Sequence, residues 1–174
     1  MPAHRGGCWR PPIPPSRPPP WARAIVTVRS GEELGGCLVG FHTQASIDPW
    51  RHAVLLSRAN HTHWVWRAGA THLAVHLLGP DDHDLAALFG AETDDGDAHK
   101  FERVPWSPSP QGSPILQNVP GWFAGPVVGS QTMGDDDLVL IQPETGSLDL
   151  GPGMALLRFH DVADLPPGHP AHTA

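Results

Sequence analysis

Residues 52–69 read HAVLLSRANHTHWVWRAG, and the change of pattern inside this stretch decides the fold. HAVLLS is a short apolar run of strand length. Asn60 then stands directly ahead of a run that closes at Gly69, the profile of a short capped helix. An Asx side chain accepts from the first free N–H groups, and a glycine ends the last turn. A strand running straight into a helix leaves backbone N–H groups open at the helix start. Together with the hydroxyls of Ser57 and Thr62, the amide of Asn60 and the charge of Arg58, they can hold a monophosphate. A plain N-cap at Asn60 explains the same residues, so both readings stand at this point. Asn60-His61-Thr62 also matches a glycosylation acceptor, which matters only in a secreted chain.

Upstream of this stretch, AIVTVRS from Ala24 is a strand closed by Ser30-Gly31, and CLVGFHTQASI from Cys37 to Ile47 is a second extended segment. Downstream, THLAVHLLG alternates and stops at Gly79-Pro80, as a strand does. DDHDLAALFG at 81–90 has acids in front, Leu85 and Leu88 three apart and Gly90 behind, which predicts a short helix. Residues 91–114, AETDDGDAHKFERVPWSPSPQGSP, read as one long loop. ILQNVPGWFAGPVVGSQTM, LVLIQPETGSLDL and GMALLRF read as further short strands cut by Gly and Pro. Six or so strands with two short helices and no regular βα alternation predict a mainly β chain folded as an antiparallel barrel.

The chain has 174 residues, enough for one domain, and 19 Gly and 21 Pro interrupt any long helix. Residues 1–22, with PPIPPSRPPP, are expected to form a Pro-rich disordered tail, 23–160 the folded domain, and 161–174 a flexible C-terminal tail. The Arg-bearing N-terminus lacks the apolar run of a secretory signal. Eight Pro in the first 20 residues would break the amphipathic helix of a transit peptide. No run of 18 apolar residues exists, so no membrane-spanning helix is expected. Residues 1–31 hold five Arg and no acid, which leaves 6 Lys and Arg against 18 Asp and Glu in the remainder. A body that acidic repels a polyphosphate backbone, so nucleic acid is not an expected partner. Two cysteines, Cys8 and Cys37, make no disulfide framework, and a reducing, cytoplasmic setting follows.

The twelve His raise a metal site as a third reading. On a strand, His72 and His76 lie roughly 13 Å apart, too far to share an ion. His61 and His63 have no carboxylate at ligand spacing, so hydrogen-bonded or solvated His is the expectation and no metal ligand is assigned. No Gly-x-Ser-x-Gly, Walker or dinucleotide glycine signature occurs, and DDGD from Asp94 and GDDD from Gly134 match no calcium loop. Those acids read as turn formers. The large aromatics Trp64, Trp66, Trp106 and Trp122 read as core or interface residues.

Taken in order, the blocks CLVGFHTQASIDP (Cys37–Pro49), SRANHT (Ser57–Thr62), LAVHLL (Leu73–Leu78), LAALFGAET (Leu85–Thr93), HKF with VPW (His99–Trp106), GSPIL (Gly112–Leu116), WFAG (Trp122–Gly125) and GDD (Gly134–Asp136) carry a recognisable pattern. The chain resembles the flavin reductase-like family of FMN-binding split β-barrels over about residues 24–145. The resemblance implies a homodimer with FMN near the subunit interface and hydride transfer from NADH or NADPH to flavin. It further implies that reduced flavin is handed to a separate flavin-dependent monooxygenase. By position, Thr43, Gln44, Ala45 and Ser46 would line the isoalloxazine and ribityl chain. Ser57, Asn60 and Thr62 would make the phosphate-side contacts, and Lys100 and Phe101 would close over the cofactor. The family usually has Gly-Asp-His where this chain has Gly134-Asp135-Asp136, which makes Asp136 the nicotinamide-side candidate. Trp50 stands where a second Pro is usual. No catalytic acid or base is assigned, because positioning a nicotinamide against a flavin supplies most of the acceleration. With Asp136 in place of a ring, the alternative is a non-catalytic flavin-binding protein of the same fold.

Overall fold

In the computed structural model, residues 23–91 and 97–148 are described. Ten strands and three helices occur among them, starting with β1 (Ala24–Ser30), β2 (Glu33–Val39), β3 (His42–Ser46), β4 (Arg51–Ser57), α1 (His61–Arg67) and β5 (His72–Leu77). Then follow α2 (His83–Ala91), α3 (Ala98–Glu102), β6 (Trp106–Pro108), β7 (Pro114–Leu116), β8 (Gly121–Met133), β9 (Asp136–Ile141) and β10 (Thr145–Leu148). The strands form one curled antiparallel sheet in the order β2-β1-β5-β8-β9-β4-β3, with β10 on β8 and a separate β6-β7 hairpin. The mainly β architecture with short helices is therefore as expected.

β8 joins the two halves of the sheet. Its first part pairs with β5 and β10 and its second with β9, with a register shift between Val127 and Gly129. The sequence reading cut this segment at its Gly and Pro residues, but the strand runs through them. Pro126 sits at the end of the β5 ladder, where its missing N–H is not needed, and its carbonyl accepts from Gln142 N–H. Gly125 is required where the chain crosses, since a Cβ there would strike the Gln142 carbonyl.

β1 explains its own unbroken apolar run, because both of its faces are covered. Ala24, Val26 and Val28 join Val54, Leu56, Val139 and Ile141 in one core cluster, while Ile25 faces a second with Phe89 and Phe101. The helices lie over the β1–β2 side. Gly35 admits them: a Cβ there would lie 2.9 Å from the Thr62 Cα.

Two expectations need correction and a third is narrowed. Cys37–Ile47 is two strands, since the chain turns at Gly40 and Phe41. The expected loop at 91–114 contains α3, β6 and the start of β7, organised by a buried acid at Asp97 that composition does not reveal. Of its two expected places, core or interface, Trp64 does not take the first: it is 65% exposed, with its indole N–H donating to the Arg58 carbonyl at 3.0 Å. The expected strand GMALLRF and both expected tails lie outside the described residues.

Candidate functional site

The register of β4 alternates and its two faces differ, although Ala53 on the outward side is buried as well. His52, Val54 and Leu56 pair with Ile141, Val139 and Asp137 of β9 and point inward. Ala53, Leu55 and Ser57 pair with Leu140, Leu138 and Asp136 and point outward. Thr43 of β3 is opposite Ala53, and Met133 of β8 is opposite Asp136, so both join the outward face. Among the expected cofactor residues, Thr43, Ser57 and Asp136 thus share one surface. Gln44 is opposite His52 on the other face and binds the Ser46 carbonyl through Nε2, and Ala45 is the unpaired residue of a bulge between them.

At the end of β4 the chain turns into α1. Asn60 is its N-cap, with Oδ1 accepting from Thr62 N–H at 3.2 Å, and Ser57 Oγ accepts from Ala59 N–H. Those bonds use acceptors only. Among the described residues the Asn60 amide NH2 and the Ser57 hydroxyl hydrogen have no acceptor and can donate to an anion, beside the exposed Arg58. This donor set fits a phosphate monoester.

Thr62, Lys100 and Phe101 are placed differently from the rest. Thr62 is fully buried and its hydroxyl donates to Asp97 Oδ2 at 3.2 Å. The same carboxylate accepts from Gly36 N–H at 2.8 Å and from His61 Nδ1 at 3.3 Å, while Lys100 Nζ lies 2.6 Å from its other oxygen. Lys100 also donates to the Gly36 carbonyl. Phe101 is edge-on to Phe89 and Trp106 in the second core cluster. The expectation that Lys100 and Phe101 close over a cofactor is corrected by their packing: both side chains face the protein interior. The physical reason is Asp97, a carboxylate 3% exposed that needs donors on every side. Cys37 lies beside the same hub, and burial pushes its thiol up to about 12, so it stays a neutral thiol.

Sequence reasoning missed Asp97 and Asp137 by grouping them with turn acids. Asp97 had one local signal, Lys100 three residues on in a short helix. Asp137 had another, its place on the inward half of the β9 alternation. It lies 2.8 Å from His63 Nε2 and accepts from Thr132 Oγ1 at 2.9 Å. The His63 hydrogen bond holds the Asp137 carboxyl below the usual carboxylate range. This pair ties the β8–β9 turn, and with it Asp136, to α1.

Two other histidines are structural. His76 is fully buried, bonded through Nδ1 to the Ile25 carbonyl and accepting at Nε2 from Leu116 N–H. Burial lowers it to about 4. His52 Nε2 is 3.1 Å from His42 Nδ1 and its ring is edge-on to Phe123. Burial, helped by His42, takes His52 down to about 3. Among the described residues no group of three or more His, Cys, Asp or Glu is arranged to hold a metal ion. An apolar cavity of about 260 Å³ lies between Trp50, Trp122, Phe123 and β10.

The described residues thus form a curled antiparallel sheet with short helices packed on β1 and β2. The chain belongs to the family described as flavin reductase like domain, which it matches over residues 20–163. It is 29% identical over 102 residues to the stachydrine N-demethylase reductase subunit Stc3 of Rhizobium meliloti (strain 1021), covering 56% of this chain and 42% of that protein. The chain thus spans less than half the length of that curated relative. In fold it is similar to the FMN-binding protein from Thermus thermophilus with bound 1-cyclohex-2-enone (TM-score 0.72, 21% identity, 99% of this chain and 100% of that one). It is also similar to the NADH:FAD oxidoreductase SgcE6 of Streptomyces globisporus C-1027 (TM-score 0.68, 20% identity, 78% of this chain and 79% of that one). No helix among the described residues is long and apolar enough to cross a membrane.

Proposed function

We propose that the chain is an FMN-binding oxidoreductase that reduces flavin with NADH or NADPH, working as a homodimer in the cytoplasm. One observation carries the reading. The outward side of β4 passes from the buried Ala53 through the half-buried Leu55 to Ser57 and then to the donors at the start of α1. That is the polarity order of a flavin mononucleotide, with a flat ring at one end and a phosphate at the other. Thr43, with Ala45 and Ser46 along β3, borders the ring end, Gln44 doing so only through its backbone because its side chain is on the other face, and Ser57, Asn60 and Arg58 receive the phosphate. Thr62 supports the phosphate side through its backbone N–H and its bond to Asp97, and Lys100 supports it from beneath.

Bound flavin would supply the hydride acceptor, and NADH or NADPH the hydride. The chain's residues orient the ring, exclude water from one side of it and donate hydrogen bonds to its anionic parts. The nicotinamide-side candidate Asp136 is opposite Ser57, at the phosphate end of this face, where its carboxylate would oppose an incoming nucleotide phosphate.

The homodimer reading rests on the same surface. Leu55, Leu138, Leu140, Phe41 and Met133 make an apolar sheet face, and the helices lie over β1 and β2 rather than over it. Phe41 and Met133 are 59% and 49% exposed. A second copy covering this face would bury it and enclose the ring. The similarity to a demethylase reductase subunit supports a further step in which electrons pass to a separate oxygenase, the flavin-dependent monooxygenase of the sequence reading.

The anionic Asp136 favours a second reading, a flavin-binding protein without nicotinamide turnover. One experiment separates the two. Purified protein loaded with FMN is recorded in the visible range, then given NADH or NADPH without oxygen. Bleaching with either nucleotide is the expected result. Persistent yellow supports the non-catalytic alternative, and failure to retain or reduce any flavin overturns both.

A further inference from the structure

The cavity beside β10 has a cause in the sequence. The register of β10 against β8 sets Gly146 opposite Phe123 and Leu148 opposite Gly121. Side chains alternate along a strand, so Gly146 and Leu148 fall on the Phe123 side of the ladder, while Ser147 and Trp122 fall on the other. Trp122 accordingly packs with Ala74, Ile115 and Ala124. Position 146 has no side chain and has no room for one: a Cβ there would lie 2.6 Å from the Trp122 carbonyl oxygen and 3.0 Å from the Phe123 Cβ. A hollow of about 260 Å³ is left over Gly146, with Leu148, Pro143 and Glu144 around it. Trp50 closes it from the β3–β4 turn. Its ring centroid is 5.3 Å from that of Phe123 at 49°, so the two rings are not stacked flat and the half-buried indole keeps a free face.

Size and charge define what this hollow accepts. It is smaller than the roughly 300–1,000 Å³ of sites for drug-sized ligands, so its occupant is small. Glu144 is the one charged residue lining it, and no cation among the described residues pairs with that exposed carboxylate. Arg51, next to Trp50, alternates with His52 onto the outward side of β4. The His52 ring, edge-on to Phe123, is kept neutral by burial and adds no positive charge. An indole, apolar walls and one uncompensated carboxylate complement a cation whose charge is spread over methyl groups. A primary ammonium would leave N–H donors unpaired against Pro143 and Leu148, which costs free energy.

We propose that this cavity binds a small quaternary ammonium ion, its methyl groups against Trp50 and Leu148 and its charge facing Glu144. The site lies on the inward side of the sheet near the start of β4. The flavin proposed above lies along the outward side towards the end of that strand, so neither proposal depends on the other.

The test titrates choline and its uncharged isostere 3,3-dimethylbutan-1-ol into the full chain, reading binding from the ligand methyl signals by NMR. Choline should bind about tenfold more tightly than the isostere, the effect of a cation held against an indole beside a carboxylate. Trp50→Leu keeps an apolar wall and removes the ring, and should weaken choline by about fivefold while leaving the isostere within about twofold. Glu144→Gln changes only an exposed side chain and should weaken choline by about threefold without affecting the isostere. That variant keeps the proposal testable even if Trp50→Leu does not fold. FMN affinity should be the same with and without choline. Equal affinity for choline and the isostere overturns the proposal and leaves an apolar pocket. Absence of choline binding at millimolar concentrations overturns it as well.

Discussion

The two faces of β4 are built from alternate residues of a single heptapeptide, yet they do different work. Inward, His52, Val54 and Leu56 meet Ile141, Val139 and Asp137 in a closed core, and Val54, Leu56, Val139 and Ile141 have no exposed surface at all. Outward, Ala53, Leu55 and Ser57 meet Leu140, Leu138 and Asp136, and apart from the buried Ala53 these side chains are only half-buried. The contrast teaches that an apolar pattern by itself does not mark a core. What surrounds the face decides whether its side chains stabilise the fold or wait for a ligand and a second copy.

The largest expected effect comes from the inner side. His52 and His76 are held neutral by burial, at about 3 and about 4 against an ordinary value of 6.5. Their protonated forms are favoured in the unfolded chain, so stability is full above pH 6.5 and falls as the pH drops from there towards 4. Each contributes about 3 kcal/mol to that loss at about 1.36 kcal/mol per pH unit. Urea midpoints measured across pH 4–8 check this. Equal stability at pH 4.5 and 7.5 would show that the inner face is not closed around neutral rings.

Next in size is the pair Leu56→Ala and Leu55→Ala, neighbours on opposite faces. The first should cost about 2–5 kcal/mol in denaturant unfolding through lost burial and a residual cavity. The second should cost less than about 1 kcal/mol per chain and instead weaken self-association in sedimentation. Equal losses of stability would erase the distinction between the faces. Smaller again is Asp136→His on the outer face, which exchanges an anion for a ring opposite Ser57, at the phosphate end. Nicotinamide-driven flavin reduction should rise by about tenfold, roughly 1.4 kcal/mol in barrier, with unfolding unchanged. A fall in rate would place the nicotinamide elsewhere.

Much of this contrast was legible in the sequence because it is local. HAVLLS, the Asn60 cap and the close at Gly69 are read within one stretch, and the structure has β4, the Thr62 N–H bond to Asn60 and α1 where they were expected. β5 and α2 were legible for the same reason. What stayed hidden depends on partners far along the chain. Asp97 looks like a turn acid until Gly36 and Thr62, 61 and 35 residues away, supply its donors. Lys100 and Phe101 then turn inward because Asp97 and Phe89 are there. Pro126 breaks a strand in isolation and does not in β8, since the β5 ladder ends beside it and its lost N–H goes unmissed. Registers of this kind are set by tertiary packing, which propensity and period do not contain.

The central claim is that the donors left open at the start of α1 receive a flavin's phosphate, and Asn60→Asp tests it most directly. Aspartate keeps the side-chain oxygen that caps Thr62 N–H, so the unfolding free energy should change by less than about 0.5 kcal/mol. The same change removes the amide NH2 and adds a negative charge, so FMN affinity at neutral pH should fall by about tenfold or more while riboflavin affinity holds. An FMN affinity equal to that of the native chain, at equal stability, would contradict the account and move the phosphate away from this helix.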